Sequence, residues 1–260
     1  NDTPTTETYT LSLHDALPIC LLSGGISMAQ KALNLEDIVA GNVIQTKGIG
    51  SMTWLKDGER YSRLENNKQT GGTDIVAYQA KDNSREVIIP SSLLTDKSTG
   101  KPIPARSISW SADNEKVLIY NNTQRVWRYD TRGDYWVLNL KDGALRQLGK
   151  GMPESSMMFA KFSPDGTRVA YVSNNNIYVE DIDSGKITQL TKDGSDTIVN
   201  GTFDWVYEEE FSCRDGFRWS PDGKHIAYWQ SDTKGTGVFD IINNVDSIYA
   251  KVIHFPCPKI

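Results

Sequence analysis

The residues best equipped for chemistry stand together in Asp204-Trp-Val-Tyr-Glu-Glu-Glu-Phe211. Consecutive carboxylates raise one another's pKa, and apolar neighbours such as Trp205, Tyr207 and Phe211 strip water from them. A bare glutamate run reads as a solvated face. Three carboxylates held among aromatic rings call instead for a cation. A second charged candidate is Arg128, directly after Trp127, with Arg125 and Arg132 close by; by themselves these arginines read as ordinary polar positions of a strand and loop.

Other kinds of chemistry find no support. Acyl transfer by a serine needs nucleophile, base and orienting acid, which an α/β-hydrolase displays as Gly-x-Ser-x-Gly with Asp and then His downstream. That motif is absent, so no residue of the chain is assigned a catalytic role. The histidines do not fill the gap: His14 lies in an anomalous leader, His225 reads as a half-exposed strand residue after a turn, and His254 is close to the last residue. Aspartates and glutamates are scattered through turns without a His or Cys at ligand spacing, so no metal and no cofactor is expected. Cys213 and Cys257 form neither a zinc pattern nor a disulfide framework. The net charge of −5 and the absence of any RNA- or DNA-binding spacing argue against a nucleic-acid partner.

The elements that must position these residues repeat. Trp54-Leu-Lys-Asp-Gly58, Trp110-Ser-Ala-Asp-Asn114, Phe162-Ser-Pro-Asp-Gly166 and Trp219-Ser-Pro-Asp-Gly223 align, with their aromatic leaders 56, 52 and 57 residues apart. That is the length of a four-stranded propeller blade with its loops. Within a repeat, an aromatic ends one strand, Ser-Pro-Asp-Gly makes a tight turn, and an alternating run such as Arg168-Val-Ala-Tyr-Val172 resumes. Asp142-Gly143 and Asp183-Ser-Gly185 mark a second hairpin in two repeats. The expected fold class is all-β, a partial β-propeller of about four blades of four-stranded antiparallel sheet. Helical exceptions are a weak segment at 34–39 and the short stretch 204–211, with Asp204 as N-cap. The 260 residues, 38% hydrophobic and 10% aromatic, suit one large β architecture.

The ends differ from the rest. Residues 1–19 share no pattern with the repeats and read as an artefactual, adaptor-like leader, excluded from fold reasoning. Residues 20–30 resemble the end of a secretory signal peptide, with small residues before a cut after Ala29. No run of about 20 apolar residues follows, so the mature part is expected to lack a membrane span. The expected location is therefore exported, in the periplasm or cell envelope of a bacterium.

From about Lys31 to Ile260 the chain resembles the first half of the propeller of the dipeptidyl peptidase IV family, in the prolyl oligopeptidase group of serine peptidases. The Trp-Ser-Pro-Asp-Gly repeats occur in many propellers. More specific is Asp204-Trp-Val-Tyr-Glu-Glu-Glu followed by Ala227-Tyr-Trp-Gln-Ser-Asp-Thr233. The resemblance implies an eight-bladed propeller, residues 31–260 supplying about its first four blades, with an α/β-hydrolase domain beyond Ile260. Cys257 departs from the Tyr-Pro-Lys-like pattern of the family.

The resemblance places the grip on a peptide's terminal ammonium on Glu209 and Glu210, with Glu208 as the outward or supporting member and Trp205 and Tyr207 as supports. Strand geometry would send adjacent carboxylates to opposite faces, whereas a helical turn sets them about 100° apart, able to embrace one cation. Arg128 is implied to bind the carbonyl of the substrate's penultimate residue, a task that suits its planar fork. The implied partners are peptides with a free amino terminus, and the parent of such a chain can be a homodimer. The implied function is that of an exported serine exopeptidase releasing X-Pro or X-Ala dipeptides, this part gating access and anchoring the amino terminus. The alternative is a periplasmic protein-binding propeller without hydrolase activity, the glutamates then forming an acidic rim. A sister endopeptidase or acylaminoacyl peptidase fits less well, since blocked or internal substrates offer no ammonium.

Overall fold

The computed structural model describes residues 50–257, together with Asn34, Leu35, Val39 and Gly48. The chain divides into two compact units, residues 1–48 and 49–260. In the first, Leu35 and Val39 are helical, where a weak helical period is expected; the leader and signal-like segments lie outside the described residues.

The second unit is built from repeats. Strands β1 (Thr53–Trp54), β2 (Arg60–Asn66), β3 (Thr73–Gln79) and β4 (Arg85–Ile89) form one antiparallel meander, followed by a short hairpin, β5 (Thr95–Asp96) and β6 (Lys101–Pro102). A second meander joins β7 (Ser107–Trp110), β8 (Lys116–Val126), β9 (Tyr129–Asn139) and β10 (Ala144–Gln147). A third joins β11 (Met158–Phe162), β12 (Arg168–Ser173), β13 (Asn176–Asp181) and β14 (Ile187–Gln189). The fourth repeat contributes the pair β16 (Phe217–Trp219) and β17 (Ile226–Tyr228). Beside it, β15 (Ile198–Asn200) pairs with β18 (Gln230–Asp232), and β19 (Gly237–Asn243) with β20 (Lys251–Cys257). The architecture is thus that of a partial propeller: three complete four-stranded sheets and the start of a fourth.

The repeated turns close in the same way. The Ser163 hydroxyl donates to Asp165 Oδ1 at 2.5 Å, the Arg168 N–H donates to Ser163 Oγ at 3.0 Å, and Gly166 takes φ = 67°. Ser111 with Asp113 and Ser220 with Asp222 repeat the bond. Donation by Ser163, then by the Thr167 backbone, holds the Asp165 carboxyl down at about 2. His225 differs from expectation: it is exposed and lies in the last such turn, its N–H donating to Ser220 Oγ, just ahead of β17.

Successive side chains of a strand point to opposite faces, and the inner strands β8 and β12 bury both faces between blades. On β8, Val117 and Ile119 pack with Ile75 and Ile89 of the first blade, while Leu118 packs with Val169 and Tyr171 of the third. On β12, Ala170 and Val172 turn instead to Phe217 of the fourth. Side-chain bonds add to this packing. Trp110 Nε1 donates to Ser62 Oγ at 2.9 Å across the first two blades, and Arg146 Nη2 reaches buried Glu180 Oε1 at 3.1 Å across the next two. Lys161 pairs with Asp215 and lies 3.7 Å from the Phe217 ring centroid.

Candidate functional site

The glutamate run forms one short helix, α1 (Trp205–Phe211). Asp204 accepts from the Tyr207 N–H at 3.0 Å as N-cap, and Ser212 ends the helix in the left-handed region, φ = 56°. The Cys213 N–H then donates to Tyr207 O at 3.1 Å. A cap residue with an oxygen acceptor and an early stop are what so short a helix needs, since its terminal N–H and C=O groups otherwise lack partners.

Arg128 comes from the second blade. Strands β8 and β9 pair right up to the turn, Val126 with Tyr129, leaving Trp127 and Arg128 as a two-residue turn. Trp127 adopts φ = 56°, an outlying conformation for a bulky residue. The Tyr120 hydroxyl braces this hairpin, 2.8 Å from Asp130 O and 2.9 Å from Arg132 O.

Helix and hairpin meet at one ion pair. Arg128 Nε lies 2.7 Å from Glu209 Oε2; the Glu209 side chain is 8% exposed and that of Arg128 74%. The three glutamates therefore have three environments. Glu209 faces Arg128. Glu210 is exposed and lines an open cleft with Phe203, Tyr207, Phe211 and Trp229. Ring contacts of 5.7 Å between Phe203 and Tyr207 and 5.6 Å between Tyr207 and Phe211 build that cleft wall.

Glu208 is not the outward member. It is the buried one, 6% exposed, and with Trp205 and Trp127 it lines a cavity of about 590 Å³. The helical rotation that turns Glu209 towards Arg128 sends its neighbour inward. Burial pushes the Glu208 carboxyl up; the Arg214 charge pulls it down and Glu209 adds to the rise. Arg125 and Arg132 sit within strands, and Arg132 lines the same cavity as Glu208. Among the described residues no cluster of His, Cys, Asp and Glu could hold a metal ion, and no helix is long and apolar enough to cross a membrane.

The arrangement supplies a near-buried carboxylate paired with an exposed guanidinium, and an exposed carboxylate beside aromatic faces. Its carboxylates can accept from a cation, and its guanidinium can donate to an oxygen acceptor. One residue escapes sequence reasoning: Arg214, whose guanidinium stacks 3.9 Å from the Tyr129 ring centroid. A lone arginine after a helix carries no signal in the sequence.

The chain is 35% identical over 138 residues to a probable dipeptidyl-aminopeptidase B of Chaetomium globosum, covering 53% of this chain and 15% of the relative. A probable dipeptidyl-aminopeptidase B of Talaromyces stipitatus is 29% identical over 226 residues, covering 84% and 25%. The crystal structure of Porphyromonas gingivalis dipeptidyl peptidase 4 superposes with a TM-score of 0.75 at 25% identity, covering 88% of this chain and 32% of that one. The chain thus spans a quarter or less of the length of these curated relatives. Those relatives are fungal, which corrects the expected bacterial periplasmic or envelope location and points to a eukaryotic setting. Residues 111–260 match the model of the dipeptidyl peptidase IV (DPP IV) N-terminal region, more than half of the chain, and the chain belongs to that family.

Proposed function

We propose that this chain is the part of a dipeptidyl peptidase that admits the substrate and anchors its free amino terminus. The longer enzyme would release X-Pro or X-Ala dipeptides by serine chemistry supplied outside this region. The observation that carries the reading is the 2.7 Å pair of Arg128 and Glu209, which joins two segments about eighty residues apart at the residues expected to hold substrate. Glu209 and Glu210 take the terminal ammonium. Glu209 gives a charge-assisted bond from a dry position, while Glu210 approaches from the aromatic cleft, whose ring faces also favour a cation. Arg128 keeps most of its fork in solvent and offers it to the penultimate carbonyl. Fixing both groups sets which bond reaches the nucleophile, a contribution of orientation. An acidic rim would leave all its carboxylates in water, and the burial of Glu208 and Glu209 counts against it.

The test compares free and amino-acetylated dipeptidyl chromogenic substrates on the full-length enzyme, with Glu209→Gln and Glu210→Gln beside wild type. Acetylation should abolish turnover, and both variants should lose most of it. The rate should also fall as the substrate's α-amino group loses its proton near about 7.7 to 8.0. Equal cleavage of blocked and free substrates would overturn the reading.

A further inference from the structure

Arg214 lies in the segment that leaves α1, and its backbone is held from several sides. Its carbonyl accepts from Thr202 Oγ1 at 3.0 Å, and Thr202 and Asp215 form an isolated bridge. The Gly216 N–H donates to Gly201 O at 3.0 Å. The Asp215 carboxylate pairs with Lys161 of β11 and with Arg218. The start of the Arg214 side chain is therefore fixed to the third and fourth blades.

The guanidinium then reaches the second blade. Its centre is 3.9 Å from the centroid of Tyr129, the first residue of β9 and the neighbour of Arg128. Its charge also acts on the carboxyl of Glu208, the neighbour of Glu209. Two buried polar atoms in this region have no hydrogen-bond partner: Glu208 Oε1 and Arg214 Nη1. Buried polar atoms are normally satisfied, and this pair has opposite charge. Arg214 thus contacts the residue beside Arg128 through its ring stack and acts by its charge on the residue beside Glu209.

We infer that Arg214 is a positioning residue: it ties the tip of the β8–β9 hairpin, through Tyr129, to the segment that leaves α1, and so sets the distance between Arg128 and Glu209. This rests on the anchoring role proposed above. The stack requires a planar cation. A lysine keeps the charge but not the flat face that lies on the ring, and a methionine keeps bulk without charge.

Steady-state kinetics of the full-length enzyme on a free-amine dipeptidyl substrate test this. Arg214→Met should lower kcat/KM by roughly 3- to 30-fold, the size that a partly desolvated cation–aromatic contact supports, mainly through KM. Arg214→Lys should fall between Met and wild type. Tyr129→Phe should retain more activity than Tyr129→Leu. In a Glu209→Gln background Arg214→Met should cost less than about 2-fold, because its effect passes through the pair it positions. Loss in the double variant equal to the product of the single losses overturns the inference, as does a wild-type KM in Arg214→Met. Should Arg214→Met fail to fold, the Tyr129→Phe and Tyr129→Leu comparison decides, and equal activities overturn it. A wild-type kcat/KM in Glu209→Gln defeats the anchoring role itself; a large loss there beside a wild-type Arg214→Met defeats only this proposal.

Discussion

The Arg128–Glu209 pair should behave as a unit, and a double-mutant cycle in the full-length enzyme measures whether it does. Glu209→Ala removes a carboxylate that is 8% exposed and 2.7 Å from Arg128 Nε. Two losses follow. A charge-assisted bond to the substrate ammonium contributes about 1.5 to 3 kcal/mol. Release of Arg128 adds up to about 1 kcal/mol, because that partner is three-quarters exposed and solvent screens the attraction. The total is about 1.5 to 4 kcal/mol, or roughly 12- to 700-fold in kcat/KM. Arg128→Ala should cost about 1.5 to 3 kcal/mol, through the carbonyl bond it would make. The double variant should fall short of the sum by about 1 kcal/mol or more, since either substitution already disorders the other group. Thermal melts serve as control: with one partner in water, the pair itself should move stability by less than about 1 kcal/mol. Additive losses, within about 0.5 kcal/mol, would show that the two residues act independently and would refute the reasoning.

The remaining predictions concern the scaffold. Glu180→Ala should destabilise the second unit by about 1 to 3 kcal/mol in denaturant unfolding, because it leaves the Gly149 N–H without its buried acceptor and the partly exposed Arg146 without its partner; Glu180→Gln should cost less. Burial raises the Glu180 carboxyl above 4.5 against the pull of Gly149, Arg146 and Tyr171. The folded state therefore holds that proton more tightly than the unfolded one, and stability should fall as pH rises from about 4.5 to the raised folded value. Glu208 adds a slope of the same sign, so Glu208→Gln should flatten a plot of stability against pH; an unchanged plot would refute the assignment. Gly201→Ala should cost about 2 to 4 kcal/mol by thermal melt, since Gly201 has φ = 73° and a Cβ there would meet Ile177 Cγ1 at 2.8 Å and Val172 Cγ2 at 2.9 Å.

The propeller repeat was legible in the chain because each blade is a local unit. Strand, Ser-Pro-Asp-Gly turn and strand lie within about 20 residues, and their alternation and turn chemistry depend on near neighbours. Asp204 as N-cap and the helical turn at 204–211 were legible for the same reason: a cap and its partner are three residues apart. The second face of each strand was not. That Leu118 turns to the third blade while Val117 and Ile119 turn to the first is decided only when neighbouring blades stack. The order of the three glutamates was hidden too. Composition treats Glu208, Glu209 and Glu210 alike, and the direction in which α1 is rotated against the β8–β9 hairpin buries the first, pairs the second with Arg128 and exposes the third. Arg214 could be found only in three dimensions, because its ring partner Tyr129 lies 85 residues earlier and no local pattern links a planar cation to a ring at that distance. Sequence alone thus determined which residues are charged, capped and turned, since those properties act over a few residues of chain. The packing of one blade on the next decided which charges lose their water, because desolvation depends on everything that closes around a group.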